Sequence, residues 1–211
     1  MDPSDLAKNY DKIAEHWGGP NFNRNNGIDL HNKAIRLLSD ELATDLNMLS
    51  KTKAIDIGCG SSGRLIDLML ASNFDVEGLD YSSNMLSLAQ ARHPDIHFHH
   101  ADICDWEFKH KYDFISAWDS IWHVPLERQE SVLHKLCNAL SHNGVIIFTS
   151  GAVDEAGDSS NLFLNQELYH AALGTQALLR ILSDNSCVCR HLENDDYPNY
   201  HLAIIAQKIE P

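Results

Sequence analysis

The chain has 211 residues, 44% hydrophobic and 22% charged, which suits one domain with a sizeable core. A formal net charge of −14 and the lack of any Lys/Arg cluster argue against a nucleic-acid partner and a polybasic membrane anchor. There is no apolar run of about 18 residues to suggest a membrane span.

The polar, acidic start MDPSDLAKNYDKIAEHW reads as neither a signal nor a transit peptide. Its spacing predicts a helix over 4–17, N-capped by Ser4, with Leu6, Tyr10, Ile13 and Trp17 on one face. GGPNFNRNNG (18–27) reads as a loop. A second helix is expected over 28–49, with Leu30, Ala34, Leu37, Leu38, Leu42 and Leu46 as its apolar stripe. Short strands are then expected at 53–57, 74–80, 95–99, 112–118 and 144–150, separated by helices over 62–72, 83–92 and 126–141. Asn73, Pro94 and Asn143–Gly144 punctuate them. This alternation predicts βαβ units and a parallel sheet. GAVDEAGDSSN, after residue 150, reads as a loop or flexible lid. A helix over 174–185 follows, then an antiparallel strand pair, 187–192 and 200–208, around ENDDYPN. The five cysteines (Cys59, Cys104, Cys137, Cys187, Cys189) are scattered without a CxxC, as expected of reduced thiols in a cytoplasmic protein.

The first strand ends in AIDIGCGSSG, which contains G-x-G-x-x-G at Gly58, Gly60 and Gly63. Ligands of open α/β sheets bind at such strand ends. The motif alone fits a dinucleotide or any adenosyl ligand. Asp56 narrows the choice. A loop that cradles pyrophosphate gains nothing from a nearby carboxylate, whereas a ligand bearing an ammonium does. S-adenosylmethionine carries that ammonium, with a sulfonium beside it, and no phosphate. Asp80, at the end of the second strand, is placed to accept ribose hydroxyls under either reading. Asp102 could accept from the adenine amine with Ile103 against the ring, which is less expected of a nicotinamide site.

The ordered set DIGCGSSG, GLDYS, ADICDW, AWDSIWH and GVIIFTSG resembles a class I S-adenosylmethionine-dependent methyltransferase over roughly residues 50–150. The N-terminal YDKIAEHW is similar to the Y-x-x-x-A-x-x-W helix of a small stand-alone bacterial type. The resemblance implies a single domain over 1–211. An N-terminal helical cap (1–50) would precede an α/β, Rossmann-like core (51–211). That core would hold a seven-stranded sheet of order 3-2-1-4-5-7-6, with strand 7 antiparallel and helices on both faces. It also implies that Asp56, Gly58, Gly60, Asp80 and Asp102 contact the cofactor, and that Tyr81, Met85, Ile103 and Ala117 line its adenosine. Tyr10, Trp17 and Arg24 would close over the methionine end. Cys59, where the loop needs only a small residue, and Trp118 complete the expected cofactor contacts.

Methyl transfer is an in-line displacement, driven largely by positioning and excluded water. A base is needed only if the nucleophile arrives protonated. Asp119 stands at the fourth strand's tip with His123 four residues on, and His123 is a candidate base. The plainer alternative is that Asp119 caps a turn or holds the cofactor ammonium while His123 packs. Tyr169 and His170, in NQELYHAAL, are further catalytic candidates by the resemblance; otherwise that segment is an ordinary exposed helix start. Trp106, Trp118 and Trp122 near the same strand ends hint at a cationic amine acceptor. His93, His97, His99 and His100 lack the spacing of a metal site, and no metal is expected. The expectation is a methyltransferase that acts on a small molecule, consumes S-adenosylmethionine and releases S-adenosylhomocysteine, without nucleic acid or membrane. A nicotinamide-dependent oxidoreductase and a non-catalytic cofactor-binding regulatory module are the alternatives. Oligomeric state is not legible.

Overall fold

The computed structural model describes residues 1–20, 22–42, 52–196 and 198–209. The first helix, α1, spans Pro3–Gly18 and is capped two residues earlier than expected. Asp2 Oδ1 accepts the Ser4 N–H at 2.8 Å, and Pro3 occupies the first turn, where a missing N–H costs nothing. Ser4 therefore lies inside the helix. Helix α2 spans Ile28–Leu42. Its expected continuation to residue 49, with Leu46, lies outside the described residues, as does the side chain of Leu42.

The central sheet is built from β1 (Lys53–Ile57), β2 (Asp75–Asp80), β3 (His97–His100), β4 (Tyr112–Ala117) and β5 (Leu140–Gly151), with β8 (Cys187–Asn194) and β9 (His201–Lys208) from the C-terminal part. The order is β3-β2-β1-β4-β5-β9-β8, with β9 antiparallel to both neighbours. This is the seven-stranded order expected from the sequence. Helices α3 (Arg64–Ala71), α4 (Ser83–Arg92), α5 (Leu126–Ala139) and α6 (Thr175–Asp184) complete the alternation. Successive strand residues point to opposite faces, and both faces are covered. Ile146 and Phe148 pack with Leu133 and Leu136 of α5 and Ile181 of α6; Val145 and Ile147 pack with Leu38 of α2 and Ile66 of α3. Hence VIIF is apolar at every position.

The polar stretch after residue 150 is not a simple loop. β6 (Gly157–Phe163) pairs antiparallel with β7 (Gln166–Ala172) in a separate two-stranded sheet. NQELYHAAL is thus largely strand rather than a helix start. Its tight turn places Leu164 and Asn165 in the left-handed region, at φ 49° and 61°. β6 is exposed on almost all of its length, so it carries no apolar alternation to announce it.

Candidate functional site

A cavity of about 640 Å³ opens at the carboxyl ends of β1, β2 and β4. Its roof is formed by α1, the 18–27 loop and the β6–β7 hairpin, and residues 195, 196 and 201 close one side. Chain reversal at the end of β1 depends on glycine. Gly58 has φ 68°, and a Cβ there would stand 2.3 Å from Ser120 Cβ. Gly60 has φ 58°, and a Cβ there would meet nothing within 4 Å. That open side lies along the cavity, so the loop makes room for a ligand rather than for another part of the protein. Trp17 Nε1 and Ser120 Oγ also line the cavity, buried without a hydrogen-bond partner. Polar atoms in that state can be satisfied by a ligand or by water.

Two carboxylates are set along this wall. The Gly60 N–H donates to Asp80 Oδ2 at 2.9 Å, and the Ser82 N–H donates to Oδ1 at 2.8 Å. Burial pushes the Asp80 carboxyl upward, against these donors. Each oxygen keeps a lone pair for a further donor. Asp102 Oδ1 accepts the Cys104 N–H at 2.8 Å, with Ile103 and Met85 also in the wall. Of the residues singled out from the sequence, Tyr10, Trp17, Gly58, Cys59, Gly60, Asp80, Tyr81, Met85, Asp102, Ile103, Trp118, Asp119, His123 and His170 all line the cavity.

Asp56, Arg24, Ala117 and Tyr169 do not line it. Asp56 is turned into the sheet, with Oδ1 2.8 Å from Ser116 Oγ, so its carboxylate cannot meet a ligand ammonium directly. Arg24 reaches the outside of the glycine loop, donating to the Ser62 carbonyl at 2.8 Å and to Asp67 Oδ2 at 3.1 Å. Ala117 is wholly buried in the core. The Tyr169 hydroxyl accepts the Leu126 N–H at 3.2 Å, away from the cavity, and only its carbonyl takes part in the site.

Asp119 has φ 53°, a strained conformation for a residue with a side chain. Its Oδ1 lies 2.9 Å from His201 Nε2 and its Oδ2 accepts from Asn26 Nδ2 at 3.2 Å. Arg64 Nη2 is 3.9 Å from the same Oδ2. Arg64 also donates to the Asn26 carbonyl at 3.0 Å and to Ser62 Oγ at 3.1 Å, and its guanidinium lies 4.9 Å above the Phe22 ring. Arg64 and His201 were missed in the sequence. The signal for Arg64 was a cation directly behind the glycine loop; nothing local marked His201. The second His201 nitrogen bonds Asp195. Burial works against a charged His201 ring, but the two carboxylates outweigh it and raise the group to about 9.

His123 is held on every side. The Tyr10 hydroxyl donates to Nε2 at 2.6 Å, Trp122 Nε1 donates to the same nitrogen at 3.0 Å, and Nδ1 donates to the Tyr169 carbonyl at 2.6 Å. Burial lowers His123 to about 3, with His170 adding to the effect. Its ring is therefore neutral, and its lone pair is already engaged. His170 stands 4.8 Å from it, ring to ring, and is also lowered by burial. The histidines of β3 lie elsewhere: His99 pairs with Glu77 at 2.6 Å. Among the described residues no group of three or more His, Cys, Asp or Glu could hold a metal ion, and no helix is long and apolar enough to cross a membrane.

Residues 54–144 match the family model described as a methyltransferase domain. The chain is 33% identical over 113 residues to a carboxy-S-adenosyl-L-methionine synthase of Nitratiruptor, covering 51% of this chain and 47% of the relative. It is 25% identical over 148 residues to a phosphoethanolamine N-methyltransferase of Plasmodium falciparum, covering 68% and 53%. The chain thus spans about half the length of these curated relatives. Among solved structures, an S-adenosylmethionine-dependent methyltransferase of Clostridium acetobutylicum superposes with TM-score 0.66 at 14% identity, covering 94% of this chain and 98% of that one. Magnesium protoporphyrin IX methyltransferase of Synechocystis, with bound S-adenosylmethionine, also gives 0.66, at 19% identity over 99% and 98%. The fold is that of the Rossmann-like methyltransferases. The matched segment lies over the glycine loop and both carboxylates, so the part of the chain that forms this wall is similar to a methyltransferase domain.

Proposed function

We propose that the protein transfers a methyl group from S-adenosylmethionine to a small-molecule acceptor. The observation that carries this reading is the wall from Gly60 through Asp80 to Asp102, whose open glycine side and spaced carboxylates fit an adenosyl group. Asp102 and Ile103 would take the adenine and Asp80 the ribose hydroxyls. The methionine end is a zwitterion and fits the Arg64–Asp119 pair, carboxylate to Arg64 and ammonium to Asp119. When bound, S-adenosylmethionine supplies an activated methyl group on a sulfonium.

The chain's own residues then position the acceptor and exclude water. Trp17 and Phe163 stack at 5.5 Å across the roof, joining α1 to the hairpin. His123, with both nitrogens engaged, holds Tyr10, Trp122 and β7 together and acts as a positioning residue. His170 is neutral and beside it, and would accept a proton at a ring nitrogen if the acceptor sheds one. The acidic composition and the free cysteines, four of the five buried, are in keeping with a cytoplasmic enzyme of small molecules.

Calorimetric titration with S-adenosylmethionine, S-adenosylhomocysteine and NADH tests the reading. Binding of the two adenosyl ligands alone supports it; binding of NADH alone overturns it. Asp80→Ala should weaken S-adenosylhomocysteine roughly tenfold or more. An unchanged affinity would mean that the ribose sits elsewhere.

A further inference from the structure

We infer that the acceptor is an amine carrying neither phosphate nor carboxylate. This rests on the methyl-transfer reading and deepens it. With the adenosine wall assigned, the acceptor's share of the cavity is bounded by Asp119, Trp122, His170, Asp195 and His201, under the Phe163 edge of the hairpin.

Two facts about charge decide what can enter. Among the described residues lining the cavity, the only side chains carrying positive charge are Arg64 and His201. Both are committed. Arg64 is held by the Asn26 carbonyl and Ser62 Oγ, and its remaining face serves the methionine end. His201 has one nitrogen on Asp119 and the other on Asp195. Neither offers the free fork that recognition of phosphate or carboxylate requires. Asp195 and Asp196 stand at the same end, so an anionic acceptor would be desolvated against carboxylates without a partner. A cation meets the opposite situation. The Trp122 ring lies 5.3 Å from the His201 ring and 6.0 Å from that of His170, presenting an indole to the same space. Carboxylates beside an indole favour an ammonium, which gives one proton to a ring nitrogen of His170 before its nitrogen can react. In the transfer, the nitrogen lone pair forms the N–CH3 bond as the S–CH3 bond breaks. Sulfur keeps that pair as a thioether, and the product leaves as the methylammonium.

The phosphoethanolamine named for one relative would be refused here, because its phosphate has no cation to meet. The test uses the protein first saturated with S-adenosylhomocysteine, a step that reads the cofactor site by itself. Phenethylamine, 3-phenylpropionate and phosphoethanolamine are then titrated separately by calorimetry. Phenethylamine should bind and the other two should not. Asp195→Asn should weaken phenethylamine roughly tenfold or more while S-adenosylhomocysteine binds as before, which also shows the variant to be folded. Binding of either anion as tightly as phenethylamine, silence from phenethylamine, or no effect of Asp195→Asn overturns the inference. Failure of S-adenosylhomocysteine to bind would instead overturn the cofactor reading.

Discussion

Asp56 shows how a residue can be legible in position and not in role. An acid just before the glycine loop is visible in the sequence, but the direction of its side chain depends on partners far along the chain. Ser116 Oγ lies 2.8 Å from Asp56 Oδ1 and 3.1 Å from His31 Nε2, and His31 Nδ1 lies 2.7 Å from the Gly27 carbonyl. The carbonyl can only accept, so Nδ1 carries a proton. The single Ser116 hydroxyl proton cannot serve both neighbours, so either His31 or Asp56 must bring one of its own. Burial lowers His31 to about 4 and raises Asp56 to about 7, so below about pH 7 the extra proton resides on Asp56. The folded Asp56 holds a proton that the unfolded chain has already released. Its contribution is therefore full below its ordinary value and is lost as pH rises through about 7. Asp56→Asn keeps a donor for Ser116 and removes the titration. Urea unfolding of the variant should show a flatter stability between about pH 6 and 8 than the parent. Equal slopes would put the proton elsewhere.

Among the elements, the strand–helix alternation was readable because each strand is a short apolar run and each helix an apolar stripe. The β6–β7 hairpin was not, because its value lies in what it touches. Asn9 Nδ2 donates to the Glu167 carbonyl at 2.9 Å and Lys12 Nζ donates to Gln166 Oε1 at 2.9 Å, so the hairpin is fastened to α1. Leu6, Ile13 and Leu168 form a small apolar cluster of their own, with Tyr10 and Phe163 against it. The Tyr10–Trp17 face of α1 thus looks like core spacing in the sequence and is the underside of a roof in the structure. Phe163→Ala removes the ring stacked on Trp17 without touching the sheet. Its stability cost should be small, on the order of 1 kcal/mol, while S-adenosylhomocysteine affinity falls roughly three- to tenfold. A large stability loss with unchanged affinity would make the hairpin a structural brace only.

Over the whole molecule, sheet order was legible because parallel units leave few topologies open, whereas the site joins residues whose meeting depends on that topology. His201 and Asp119 are 82 residues apart, yet they form one ion pair that ties the last strand to the tip of β4. The His201 group is raised from its ordinary value to about 9. Its stabilising effect is therefore complete below about 6.5 and is lost as pH rises through about 9. His201→Gln should lower the melting temperature at pH near 7 by a few degrees, and the gap should close near pH 10 (roughly 4–8 °C per kcal/mol for a small domain, less for larger ones). A gap that persists at high pH would assign His201 to packing alone.

The hydrogen bond from Tyr10 to His123 has a consequence for movement. It joins the roof to the segment after β4, and the Tyr169 carbonyl joins that segment to the hairpin. Lifting α1 to admit or release the nucleoside therefore also loosens the grip on Trp122. The two compartments cannot open independently. Movement of the first twenty residues is therefore felt on both sides of the cavity at once.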